Sequence, residues 1–344
     1  NIPQITEQIF HKSPNKSSTN HRTNLPQITE NCKKVLVVRN IYINFAPKNY
    51  DNMAEYKKRI SDRILKRKVQ GKGAVLIEGP KWCGKTTTAK QLANSVLDLG
   101  NSTVLMQSRQ MIEISHKVLL DGDTPRLIDE WQALPPIWDS IRSEVDSRGE
   151  PSQFILTGSS VLPEANTLIH SGTGRFGHIR MRPMSLFESG ESSGEVSLLD
   201  LFENRPLELQ RNNLDVNDIA FLTCRGGWPW ATLISKELAL DQAFDYVDSV
   251  VNSDILRVDK VRRSPERTKL LLRSYARNIS QQISYATIRK DMLANDASTL
   301  DEDTVADYIK ALKKLFVIED LVAWNPNIRS KSAIRTSDTR HFVD

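Results

Sequence analysis

The spacing of apolar positions changes period several times along the chain. Ala74–Glu78 is a short, nearly continuous apolar run of the length of a buried strand. Residues 86–99 then place Ala89, Leu92, Ala93 and Val96 at three- and four-residue intervals, which predicts one face of a helix. Apolar runs at 104–106, 126–128 and 154–156 alternate with further helical stretches. Short strands alternating with helices predict a parallel sheet wrapped by helices. Upstream, residues 54–68 (AEYKKRISDRILKRK) form a charged helical pattern with Ile60, Ile64 and Leu65 as its apolar positions. Residues 188–197 are rich in Ser, Gly and Glu and read as the boundary of this region.

Beyond that boundary the pattern is mostly helical, with Pro229 placed to start a helix after the turn Gly226-Gly227. Helices are predicted over 266–278, 285–293 and 304–315, followed by a β-like stretch at 316–324, an order that fits a winged helix. The expected division is a core at 53–190, a helical connecting region at 198–265 and a winged-helix domain at 266–344. Residues 1–52 differ: NIPQITE at 1–7 recurs as NLPQITE at 24–30, separated by a polar stretch without apolar periodicity. They are expected to be a disordered or non-native extension, with Met53 as the native start. The contrary reading makes residues 35–45 (VLVVRNIYINF) a strand of the fold.

Composition narrows the class. The 344 residues suffice for two domains, and no apolar run approaches the roughly 18 residues of a membrane span. The N-terminus lacks the apolar segment of a signal peptide, so a cytoplasmic protein without membrane contact is expected. Cys32, Cys83 and Cys224 are far apart, without metal-ligand spacing, and are expected to be reduced thiols. Lys and Arg number 47 against 42 Asp and Glu, but residues 1–52 hold seven of the former and three of the latter. The remainder, 40 against 39, is nearly neutral, so charge alone gives no case for nucleic-acid binding.

Candidate chemistry is concentrated at the predicted strand ends. Gly79, Pro80, Lys81, Trp82, Cys83, Gly84, Lys85 and Thr86 match G-x-x-x-x-G-K-[ST] between a strand and a helix, with Thr87 following. Such a loop turns successive N–H groups toward phosphate oxygens, and the helix adds its positive end. Lys85 is expected to reach the β- and γ-phosphates of ATP, and Thr86 to ligate Mg²⁺. About 45 residues downstream of Lys85, a predicted strand ends in Asp129-Glu130. Asp129 is expected to hold the Mg²⁺ and Glu130 to polarise the attacking water. Thr157 ends another strand (FILTGSS), beside that of Asp129, where its hydroxyl could sense the γ-phosphate. The glycine-rich Gly172–Phe176 stretch exposes Arg175, an arginine-finger candidate for a neighbouring subunit, with Arg180 and Arg182 as competitors. Cys83 is expected to favour the thiolate, near Lys81, Lys85 and a helix N-terminus.

Together, GPKWCGKT, LIDEWQ, FILTGSS, GRFGHIRMRPMSLFE and RGGWP resemble the prokaryotic AAA-type ATPase family whose core precedes a helical, winged-helix-containing domain of unknown function. The resemblance spans about Met53 to Asp344. It implies an α/β, AAA-like P-loop NTPase core with a parallel sheet, followed by a mostly helical winged-helix domain. It also implies the roles given to Lys85, Thr86, Asp129, Glu130, Thr157 and Arg175. Many family members continue past a motif like Arg340–Asp344 into a nuclease-like segment, so the last domain is expected to be truncated, and no nuclease activity is implied.

The expected function is ATP binding and Mg²⁺-dependent hydrolysis by a conformational switch or motor acting on an unidentified protein partner. A homo-oligomer follows if Arg175 acts between subunits. The alternative is a DNA-associated regulatory protein in which nucleotide is structural. Asp301, Glu302, Asp303 and Asp307 at the start of the presumptive recognition helix oppose entry into a major groove. Lys310, Lys313, Lys314, Arg329, Lys331, Arg335 and Arg340 could still contact phosphates.

Overall fold

The structure, a computed structural model, describes residues 56–159, 172–206, 213–259, 261–293, 300–323 and 337–344. The expectations for residues 1–52, Arg329, Lys331 and Arg335 lie outside them. The described chain opens with α1 (Ile60–Gly71), β1 (Ala74–Glu78), α2 (Lys85–Lys90), β2 (Ser95–Asp98), α3 (Ser102–Ile114) and α4 (His116–Leu120). It continues through β3 (Arg126–Asp129), α5 (Ile137–Arg148), β4 (Phe154–Gly158) and β5 (Phe176–Arg180). The five strands form one sheet in the order β2-β3-β4-β1-β5, and every pairing is parallel. Strands β3 and β4 are buried along their whole length, as expected of strands covered on both faces. The register sets Asp98 beside Asp129, Asp129 beside Thr157, and Glu78 beside Gly158 and Arg180. The carboxyl ends of β3, β4 and β1 therefore lie in a row.

Two sequence expectations are corrected. The helix predicted over 86–99 ends at Lys90, and Val96 belongs to strand β2. Asn94 N–H donates to Pro125 O, its side-chain amide to Thr124 O, and Ser95 Oγ to Asp123 O. These bonds to a neighbouring loop draw the chain out of its helical path. Conversely, the apolar run 104–106 is the first turn of α3, because Asn101 accepts from the N–H groups of Thr103 and Val104 as a helix cap. In α1 the buried positions are Leu65 and Val69, while Ile60 and Ile64 are exposed.

The second half contains α6 (Leu186–Ser189), α7 (Leu198–Phe202), α8 (Val216–Arg225) and α9 (Lys236–Ser249). It ends with α10 (Pro265–Arg277), α11 (Tyr285–Leu293) and α12 (Glu302–Lys314). Pro229 initiates a 3₁₀ turn, Trp230–Thr232, rather than an α-helix. Isolated antiparallel bridges join Gln282 to Thr339, Leu321 to Thr339 and Ile318 to Phe342. One buried apolar cluster runs from Leu65, Val75, Ile77 and Cys83 through Trp228 and Tyr246 to Leu271, Ile288, Ile309 and Leu312. The sheet and the helical region thus share a hydrophobic core. Among the described residues, no helix is long and apolar enough to cross a membrane.

Candidate active site

The loop between β1 and α2 is built by close backbone approach. At Gly79 a Cβ would stand 2.1 Å from Met181 O, so only glycine fits. Gly84 has φ of +98°, a left-handed conformation that lets α2 start immediately afterwards. Arg59 fixes the loop from outside: buried, it donates to Cys83 O (2.8 Å) and Arg182 O (2.8 Å) and pairs with Glu188 (3.0 Å). Nothing in the charged pattern of residues 54–68 marked Arg59 for this role.

Lys85 follows as the first residue of α2 and is buried. Its Nζ donates to Gly79 O (3.1 Å) and Pro80 O (2.7 Å). Burial holds this ammonium below the usual lysine range, against the opposing pull of Cys83, Glu130 and Asp129. A buried cation bonded to carbonyls invites an anion at the same place. Thr86 Oγ1 donates to Asp129 Oδ1 (2.8 Å), and Thr157 Oγ1 donates to the same oxygen. Two hydroxyls thus converge on one carboxylate at the adjacent ends of β3 and β4.

Glu130 leaves β3 with φ of +53°, a conformation costly for a residue with a Cβ and one that recurs at functional sites. Its carboxylate accepts from Ser159 Oγ (3.1 Å) and from Gln132 Nε2. Both partners stand in the motifs LIDEWQ and FILTGSS, where the motif chemistry assigns them no role. Their signal was their position, each two residues past a recognised group, Glu130 or Thr157.

The remaining loop positions divide. Pro80 is buried and Thr87 is exposed on α2. Lys81 pairs with Asp254 (2.5 Å), and the exposed Trp82 packs edge-on against Tyr246. Cys83 corrects the thiolate expectation: it is fully buried, with Sγ 3.7 Å from Met181 O. Burial pushes its thiol up despite Lys85 and Arg59 nearby.

Residues 71–189 match the AAA domain family, and residues 216–344 match a domain of unknown function (DUF8612). Residues 71–189 thus form an AAA domain of the P-loop ATPase type. A Walker-type ATPase of Pyrococcus abyssi has the same fold, with 15% identity and a TM-score of 0.52 over 88% of this chain and 97% of its own. A DNA replication initiation factor aligns at 15% identity over 76% of this chain and 90% of its own, with a TM-score of 0.27. Thermotoga maritima RuvB aligns at 16% identity over 80% and 90%, with a TM-score of 0.29. No curated protein matches the chain.

Within the AAA core, the three arginine-finger candidates separate. Arg175 precedes β5, whose first residue pairs with Ala74 at the start of β1. It therefore stands about 16 Å, five strand residues, from the end of β1 that bears the phosphate loop. Exposed, it pairs with Asp146 (2.8 Å). Arg180 and Arg182 lie at the loop end of the sheet, but Glu319 holds both, at 2.9 and 2.6 Å.

Proposed function

We propose that this AAA-type ATPase hydrolyses Mg²⁺-ATP and that nucleotide state sets the position of the helical region against the core, acting on a protein partner. The observation that carries this reading is the convergence of the Thr86 and Thr157 hydroxyls on Asp129 Oδ1 beside buried Lys85. Thr86 and Asp129 would hold Mg²⁺, an all-oxygen donor pair suited to a hard cation. Mg²⁺ bound there would neutralise charge on the β- and γ-phosphates. Lys85 meets the phosphates with its ammonium, and the loop N–H groups orient them. Thr157, whose hydroxyl donates to Asp129 in this structure, would turn it to a γ-phosphate oxygen once Mg²⁺ occupies the Asp129 carboxylate. Glu130, oriented by Ser159 and Gln132, accepts the proton of the water that attacks phosphorus as the bond to ADP breaks.

Arg175 completes the site of a second copy in this reading. Its distance from its own phosphate loop is what supports action between subunits, since all three arginines are ion-paired within the chain, Arg175 to Asp146 and the other two to Glu319.

A winged-helix arrangement of the last segment is supported by its order: α10, the bridge at Gln282, α11, α12, then bridges at 318–321 and 339–342. Two of the basic residues that could contact DNA phosphates are otherwise engaged. Arg340 is buried and pairs with Asp320 (2.5 Å), and Lys313 joins the same carboxylate (2.7 Å). Asp301 caps α12 through Thr304 N–H, and Asp307 pairs with Arg263. The engagement of Arg340 and Lys313 by Asp320 weighs against phosphate contacts by those two residues.

Calorimetric titration with ATP, with and without Mg²⁺, tests the assignment. Wild type should bind more tightly with Mg²⁺, and Thr86→Ala should lose most of that difference. Equal Mg²⁺ dependence in both proteins would refute the assigned metal site.

A further inference from the structure

The phosphate chemistry uses the backbone of the loop together with Lys85 and Thr86. It leaves the side chains of Lys81 and Trp82, and both contact the helical region. Lys81 Nζ lies 2.5 Å from Asp254 Oδ1, in a pair whose lysine is 43% exposed and whose aspartate is 7% exposed. Trp82 meets Tyr246 with ring centroids 5.7 Å apart, and Tyr246 packs at 4.2 Å on Trp228 of the RGGWP turn. Tyr246 lies on α9, and Asp254 closes the π-helical turn Val250–Asp254 that extends it. Two adjacent loop side chains therefore grip one helix.

The local geometry is not the cheapest available. A π-turn is rare and concentrates at functional sites. Trp82 holds φ of +66°, uncommon for a bulky side chain. Both departures serve the same contact: one ends in Asp254, the other sets the Trp82 ring against Tyr246.

We infer that Asp254 is a positioning residue that competes with bound phosphate for the Lys81 ammonium, so that nucleotide binding and the grip of α9 on the loop oppose each other. This rests on the reading of the loop as a triphosphate site. Lys81 is a flexible stem with three rotatable donors, rooted two residues after Gly79 and four before Lys85. A triphosphate in the loop brings several negative charges near the Asp254 carboxylate. Coulomb repulsion between them is relieved when Lys81 turns to phosphate and α9 loosens. Nucleotide occupancy is thereby transmitted from the loop to the helical region through one shared cation.

The test is a double-mutant cycle on the full chain, with Mg²⁺-ATP binding read by calorimetry. Asp254→Asn preserves shape while removing the competing charge and should tighten ATP binding about fivefold, the factor carried by roughly 1 kcal/mol. Lys81→Met should weaken binding more in the Asp254→Asn background than in wild type. Weaker or unchanged binding in Asp254→Asn, or an equal effect of Lys81→Met in both backgrounds, would overturn the inference and make the pair a structural strut. Lys85→Ala separates the levels. If it loses ATP binding while Asp254→Asn binds like wild type, only the competition fails; if it too binds normally, the phosphate-site reading fails. Should Asp254→Asn not fold, Lys81→Met alone decides through fluorescence: the ATP-induced change that Trp82→Phe abolishes should disappear in Lys81→Met, and its persistence would contradict the coupling.

Discussion

Lys85→Met should make the nucleotide-free protein more stable while removing most of its response to ATP. Lys85 is a buried ammonium whose two hydrogen bonds run to carbonyls, and burial depresses its pKa from 10.5. A depressed lysine pKa means that the unfolded chain binds the proton more tightly than the fold does. The penalty is therefore fully present below the depressed folded pKa and disappears as pH rises from there to about 10.5. Methionine fills a similar volume without the charge, and replacing buried ionic groups by apolar ones is often neutral or stabilising, by up to about 4 kcal/mol. Leaving Gly79 O and Pro80 O without their donor costs about 1 kcal/mol, so a gain of about 1–3 kcal/mol is expected. At roughly 2–4 °C per kcal/mol, the variant should melt about 2–12 °C higher without nucleotide. With ATP at 100 times the wild-type Kd, wild type gains about 2.7 kcal/mol. Loss of the charged phosphate contact weakens binding by about tenfold to a hundredfold, leaving the variant roughly 0.4–1.4 kcal/mol at the same ATP concentration. Melting curves with and without Mg²⁺-ATP, repeated from neutral pH to pH 10, measure all three effects. A variant that melts below wild type at neutral pH and gains as much from ATP would refute the reasoning.

Alkylation should modify Cys224, which is exposed, well before Cys83, whose buried thiol is pushed up; peptide mapping that finds Cys83 modified first would reverse this order. Arg175→Ala should retain ATP binding and lose turnover. Mixing it with Glu130→Gln should restore part of the phosphate release, since each copy supplies what the other lacks; no recovery would remove the role between subunits.

The phosphate loop and the acid-ended strand were legible in the sequence because their chemistry demands particular residues at fixed spacing. Glycines at 79 and 84, a lysine at 85 and Asp129-Glu130 after an apolar run leave few alternatives, and the fold brings Lys85, Thr86, Asp129, Glu130 and Thr157 to adjacent strand ends. The pattern failed where one long-range or capping bond outweighed local period. Asn94 and Ser95 bond to residues 123–125 and convert a predicted helix into β2, whereas Asn101 caps a helix over a run that reads as a strand. Arg59 and Asp254 were invisible for a different reason. Their partners lie 24 and 173 residues away, and a single charged residue in a charged helix carries no mark of what it will meet. Cys83 shows the limit of electrostatic reasoning without burial: neighbouring cations favour a thiolate, but desolvation of a fully buried sulfur outweighs them.

The most direct test of the hydrolytic assignment is phosphate release from Mg²⁺-ATP by wild type and Glu130→Gln under matched conditions, with ATP binding measured in parallel. Glutamine keeps the size of the side chain held by Ser159 and Gln132 but cannot accept the proton. Turnover in the variant should fall by about 10²–10⁴ with ATP binding retained. Equal turnover in the two proteins, or loss of binding in step with turnover, would contradict the assignment of Glu130 as the base.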